Sequence, residues 1–200
     1  MRIGEIVETH SMGFVAESFE LHRPPALGSL VKVELSRDSD IYAYAVVSYG
    51  QTSGLEPGRR AIRRGTDEVY DGAIYDEHPE LRRTLRTVFN AVLVGWDDGA
   101  RLRQQLPPQP PPLHFSVQEC DSSDVTRFSD GLYYLRLLLG AVAEIPVPNL
   151  VIAHVSETYR LRGEDRPWLE RVARELAALL KHDTETLMGI LYAIEPGDSR

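Results

Sequence analysis

The densest chemistry-bearing stretch of the chain is GRRAIRRG at 58–65, where Arg59, Arg60, Arg63 and Arg64 stand in pairs between two glycines. Arg82, Arg83 and Arg86 follow on the same side of the sequence. A guanidinium is a planar fork of donors that matches phosphate oxygens two at a time, so arginines gathered on one segment would bind phosphate, nucleic acid or a partner protein. Tyr42, Tyr44, Tyr49, Tyr70 and Tyr75 would add stacking faces if the ligand were a single strand. The competing use is structural: a solvated loop in which these arginines neutralise Asp67, Glu68 and Asp71, with the tyrosines half-buried in strands.

The remaining reactive groups read as structural. Asp97–Asp98, Glu119–Asp121 and Glu164–Asp165 are paired acids, but each pair falls at a turn or a helix start, where carboxylates accept from free backbone N–H groups. The histidines at 10, 22, 78, 114, 154 and 182 include no i,i+4 pair on a helix and none in ligand spacing to the single cysteine, so no metal site and no cofactor is expected. His154 lies in an apolar stretch and reads as a satisfied core residue. Cys120 reads as a buried strand residue. No G-x-S-x-G elbow occurs, and Ser48, Ser116 and Ser156 have no readable base partner. The proline run at 107–112 would suit an aromatic-lined groove, or serve as a stiff connector into the next strand.

The chain has 200 residues and a formal net charge of −8, so its mean field repels phosphate and anionic lipid unless a local basic patch overrides it. One cysteine excludes an intrachain disulfide, which fits a reducing compartment. The N-terminus carries no apolar signal segment, and the longest apolar run, 135–153, is interrupted by Arg136, Glu144 and two prolines, so no membrane span is expected. A soluble, cytoplasmic protein is the expectation.

The elements that would position these groups divide near residue 120. Before it, alternating apolar and polar residues predict strands over 2–9, 13–21, 29–36, 41–50, 86–96 and 113–120, with RDSD at 37–40 as a hairpin turn. Residues 54–84 form an irregular insertion, ending in a short helix capped by Asp76 with Pro79 in its first turn. The stretch 97–112 reads as a loop ending in polyproline. After 121 the period becomes helical. Residues 121–142 predict a helix started at Ser122–Asp124, whose strongly apolar run at 132–142 would be buried, and which IPVPN at 145–149 breaks. Residues 149–163 suit a helix capped by Asn149 and stopped by Gly163, although the β-branched start of 150–158 also suits a strand. Residues 164–182 carry Leu169, Val172, Leu176 and Leu179 on one face, with Glu170–Arg174 and Arg171–Glu175 pairs outside. A last helix is capped by Thr184.

Two strands share one lead-in: RPPALG before LVKVE at 30–34, and LPPQPPP before LHFSVQ at 113–118. With IGEIVE (3–8), FVAESFEL (14–21), IYAYAVVSYG (41–50) and VFNAVLVG (88–95), the first 120 residues resemble the HAS-barrel, the small β-barrel of HerA-type ATPases and of the ATP synthase catalytic ring. The resemblance implies a barrel used for assembly and docking, with a ring-shaped ATPase or a nuclease-type associate as partner. The P-loop engine that follows the barrel in HerA-type proteins has no counterpart, because no G-x-x-x-x-G-K-[ST] motif occurs.

The expectation is therefore an α+β protein: a six-stranded antiparallel β-barrel over 1–120, with the 54–84 insertion, followed by an α-helical region over 121–200. The leading functional reading is a non-enzymatic interaction module docking onto a protein. The second is a nucleic-acid-binding barrel using the Arg59–Arg64 loop, and the third a small hydrolase whose site is not readable from sequence.

Overall fold

Alternation along the first strands gives them one face for the inside of a ring and another for whatever covers its outside. The computed structural model of the protein describes residues 1–37, 40–56 and 61–195. Its strands are β1 (Arg2–His10), β2 (Gly13–Ser18), β3 (Leu30–Glu34), β4 (Tyr42–Gly54), β5 (Leu85–Asp97), a two-residue β6 (Leu102–Arg103) and β7 (Ser116–Glu119). All pairings are antiparallel: β1 with β2 and β7, β7 with β3, β3 with β4, and β4 with β5. β5 then returns to β2 in a register running from Gly13↔Val92 to Glu17↔Val88. That ladder closes a six-stranded barrel, and β6 only extends β5. Closure leaves these six strands without a free edge.

The barrel is filled by side chains. Phe14, Phe89, Ile6, Leu93 and four valines pack against four alanines, Ala16, Ala43, Ala45 and Ala91. Alternating large and small residues is how a narrow barrel fills its taper.

The chain also forms α1 (Ala73–Glu77), α2 (Leu81–Thr84), α3 (Ser122–Ser129), α4 (Leu135–Leu139), α5 (Val147–Leu161), α6 (Arg166–Leu179) and α7 (Thr184–Ile194). The last five build a second core on the outer wall of β3, β4 and β5. There Leu30, Tyr44, Val46 and Val94 join Phe128, Leu138, Val151, Trp168, Leu176 and Ile190 in one cluster. β4 is thus buried on both faces from Ala43 to Ser48. A line of rings crosses the seam: Tyr44 stacks on Phe128 at 4.9 Å, Phe128 lies 5.1 Å from Tyr134, and Tyr134 meets His154 edge-on at 5.4 Å.

Gly28 sets how closely the two layers approach. Its φ is +83°, and a Cβ there would lie 2.5 Å from the backbone of Ala153 and His154 on α5. Only glycine combines that backbone conformation with that contact. Polar fastenings surround the seam. Lys32 on β3 bonds Asp124 of α3 at 2.7 Å, and Arg127 pairs with Asp97 at the end of β5. Burial alone lowers the Lys32 ammonium, but the Asp124 hydrogen bond and charge outweigh it and the net shift is upward. Arg162, with its side chain 6% exposed, bonds Asp130 and Asp165 as well as Thr126 O and Ser129 Oγ, tying α3 to the α5–α6 turn.

Several local expectations change. Residues 150–158 are helical, but α5 starts from Pro146 and not from Asn149, because Pro148 can occupy a first turn that lacks intrahelical donors. The apolar run 132–142 yields only the five-residue α4, ended by Gly140, and Val142 is 90% exposed. The helix expected from Asp76 divides at Pro79 into α1 and α2, with Asp76 inside α1. Asp183, not Thr184, caps α7 by accepting from Thr186 N at 3.1 Å. The pairs expected on α6 do not form: Arg174 bonds the carbonyl of Glu170, and Arg171 bonds the carbonyl of Asp130, the residue that follows α3. Arg171 thus takes a tertiary acceptor, and Arg174 a backbone carbonyl of its own helix. Among the described residues, no helix is long and apolar enough to cross a membrane.

Candidate partner-docking surface

β4 and β5 outrun the barrel. Past the closing ladder they continue as a two-stranded ribbon through Thr52↔Thr87, Ser53↔Arg86 and Gly54↔Leu85, and Leu55 N bonds Thr84 O at 3.0 Å. The ribbon carries residues 55–56 and 61–84 as an excursion from the barrel. Its base is tied to the loop after β2. Thr87, buried, accepts the backbone N–H of His22 at 2.7 Å and shares a 2.8 Å hydrogen bond with Thr52. The His22 ring bonds the Tyr75 hydroxyl at 2.5 Å and stacks edge-on against its ring. His22 holds a left-handed φ of +65°, which turns it toward the excursion ahead of the Pro24–Pro25 lead-in.

Between ribbon and excursion lies a cavity of about 420 Å³. Its wall is largely apolar, with Leu55, Ile62, Ile74, Leu81 and Leu85, and its charged members are Arg64 and Glu56. Leu81 and Leu85 reach it from α2 and the start of β5. Leu55 and Ile62 are 46% and 68% exposed, so the mouth has an apolar collar open to solvent.

The seven arginines are placed as follows. Arg59 and Arg60 lie outside the described residues. Arg64 is on the cavity wall, and Arg63 is exposed beside it, its Nε donating to Gly65 O at 3.3 Å. Arg82 and Arg83 stand exposed on α2, between the cavity-lining Leu81 and Thr84. Arg86 is half-buried on the opposite face of β5 from Leu85, by strand alternation, and its Nε is buried without a hydrogen-bond partner. Of the described arginines, Arg64 thus lines the cavity, Arg82 and Arg83 stand exposed on the helix that supplies Leu81 and Thr84 to it, and Arg86 turns to the other face of β5. Among the described residues, Asp67, Glu68 and Asp71 form no ion pair with these arginines. Among the described residues, the ion pair involving Arg63, Arg64, Arg82, Arg83 or Arg86 is Arg82–Asp76 at 4.0 Å, with both side chains well exposed. A pair of that kind contributes little.

The other candidate groups are occupied. His154 is buried; its Nδ1 bonds Gly28 O at 2.7 Å and its Nε2 bonds the Tyr134 hydroxyl at 3.0 Å. A carbonyl only accepts, so Nδ1 carries the proton and Nε2 accepts from Tyr134. Burial holds this imidazole down at about 4, hence neutral. Burial pushes the Cys120 thiol well up, away from the reactive thiolate. Asp121 caps α3 in a reciprocal box with Asp124, and Asp165 caps α6. Asp98 accepts from Arg103 and from the amides of Arg101 and Ala100, which hold it down to about 2. Pro107 and Pro111 are buried, so the proline run packs along the body as a connector. Among the described residues no group of three His, Cys, Asp or Glu side chains could hold a metal ion.

Sequence reasoning picked out the arginines and missed the cavity beside them. Its signal was present: Leu55, Ile62, Val69, Tyr70, Ile74 and Tyr75 are large apolar residues in a segment too irregular to bury them all. A scan against protein-family models finds no match to this chain, and a search of curated proteins finds none either.

Proposed function

We propose that the protein is a non-enzymatic docking module, a HAS-like barrel that holds a binding excursion for a partner protein. The observation that carries this reading is the excursion itself. It is built on a ribbon projecting from a filled barrel, and it exposes Leu55, Ile62 and Tyr70 beside Arg63 and Arg64, which form no ion pair among the described residues. Exposed aliphatic and aromatic groups interspersed with arginine are the composition of protein interfaces. The barrel interior is a solid apolar core, so recognition belongs to the outside. The closed ring and the two proline-rich lead-ins support the HAS-like assignment, and a ring-shaped ATPase or nuclease-type associate is the partner that assignment suggests. Crosslinking in the native cell followed by purification tests the reading. A stoichiometric protein partner whose crosslinks map to 55–84 is the expected result, and a chain recovered alone at every concentration would overturn it.

Arg63 and Arg64, exposed and in no ion pair among the described residues, also favour a second reading, nucleic-acid binding. Its test is fluorescence anisotropy with a labelled single-stranded oligonucleotide across a salt series. The reading requires an affinity that falls steeply with salt, and a slope that flattens when Arg63 and Arg64 are replaced by Ala.

A further inference from the structure

The last two helices present an apolar face of their own, on a different part of the chain from the excursion. Independently of the docking reading above, we propose that this face is a two-fold interface between two copies of the chain, in which Met188 and Tyr192 of each copy enter the groove between α6 and α7 of the other.

The make-up of α7 is the first observation. From Thr186 to Ile194 it has no charged residue. A surface helix ordinarily buries one stripe and turns charged residues to water. α7 buries Ile190 and Ile194, yet its outer side carries Met188, 59% exposed, and Tyr192, 84% exposed, with Gly189 and Ala193 exposed beside them. Its neighbour α6 keeps the ordinary pattern, with Glu170, Arg171 and Arg174 outside. Glycine weakens a helix interior relative to alanine, and a Cβ at Gly189 would meet no atom within 4 Å. Small residues on an exposed apolar face let a second helix come close.

The groove is the second observation. It encloses about 480 Å³, and its apolar lining comes from Leu169, Ala173, Met188, Leu191, Tyr192 and Ile194. The ridge of Met188 and Tyr192 and the groove that would receive it thus lie on one patch. Such a patch is complementary to itself, which is what a two-fold interface requires. Burying these side chains against one another supplies the affinity.

Charge is the third, and it selects a copy of the chain over a different protein. The groove is bordered by both signs, Arg166 with Glu170 and Glu195, and none of the three forms an ion pair among the described residues. A second copy brings the opposite of each, so that Arg166 of one copy meets Glu170 or Glu195 of the other. A strongly acidic or strongly basic partner would satisfy one sign and repel the other.

Sedimentation equilibrium of the full chain across the micromolar range tests this. The expected result is a monomer–dimer equilibrium. Tyr192→Glu should weaken it about tenfold or more, the scale of losing one aromatic anchor and setting a charge in its place. Met188→Ser, on the same ridge, should weaken it in the same direction. Both residues are exposed, so both variants should keep the circular dichroism of the parent, and if one loses its helical signal the other carries the test. Ile62→Ser, on the exposed part of the excursion, should leave the dimer unchanged. A monomer at every concentration would overturn the proposal and leave the groove to a different protein or to residues 196–200, which lie outside the described ones. A dimer that the ridge variants leave intact would also overturn it, and one that Ile62→Ser alone disrupts would move the interface to the excursion.

Discussion

Lowering the pH should loosen the seam between barrel and helices through a single imidazole. His154 is fully buried between Gly28 O and the Tyr134 hydroxyl, and burial lowers it from its ordinary value of 6.5 to about 4, against smaller upward pulls from the Gly28 hydrogen bond and the Glu157 charge. In the unfolded chain it titrates at the ordinary value. Because the folded value is the lower one, the contribution to stability is complete above 6.5 and drains away as the pH falls through the window down to about 4, after which this group contributes no further change. Between roughly pH 7.5 and pH 4.5 the protonation linkage amounts to about 2–3 kcal/mol. Urea unfolding of the parent and of His154→Asn at both pH values isolates it, since other titrating groups are common to the two proteins. The variant should be weaker at neutral pH, by about 1–3 kcal/mol for the lost Tyr134 bond and the packing around it. The gap should narrow by about 2–3 kcal/mol at the acid end. In parallel, the His154 ring protons should shift in NMR spectra near pH 4 and stay flat through 6.5. A gap that does not change with pH, or a ring that titrates near 6.5, would refute the reasoning.

Three further outcomes follow from the packing. Gly28→Ala forces a left-handed residue and a 2.5 Å contact with α5, so it should cost about 2 kcal/mol or more in chemical denaturation, and an unchanged midpoint would disprove the close approach. Arg162→Met removes the guanidinium that bonds Asp130, Asp165, Thr126 O and Ser129 Oγ, and calorimetry should register a loss of about 1–3 kcal/mol, because both carboxylates stay in reach of solvent. Val142→Ser should stay within about 0.5 kcal/mol of the parent by the same measurement, because the residue is 90% exposed despite lying in an apolar run.

Much of this protein is local and could be read from its order of residues. Leu30, Val31, Lys32 and Val33 alternate, and alternation alone puts Val31 and Val33 on the face opposite Leu30 and Lys32. Asp121 and Asp165 precede helices, where free N–H groups await them, and Gly163 follows α5 with a φ of +69° that glycine adopts without strain. These outcomes depend on neighbours a few positions away. What tertiary structure decided depends on residues far apart in the chain. β2 closing on β5, the burial of β4 on both faces, and the helical state of 150–158 under the Gly28 turn each required a partner that no local pattern names. The arginines show both sides of this. Their clustering in sequence was visible, but the placement of Arg64 on an apolar cavity, and the diversion of Arg86 to the other face, came only from the ribbon that carries them. Side-chain period is set by the backbone within a few residues, whereas the surface a side chain finally meets is set by which distant elements the hydrophobic core draws together.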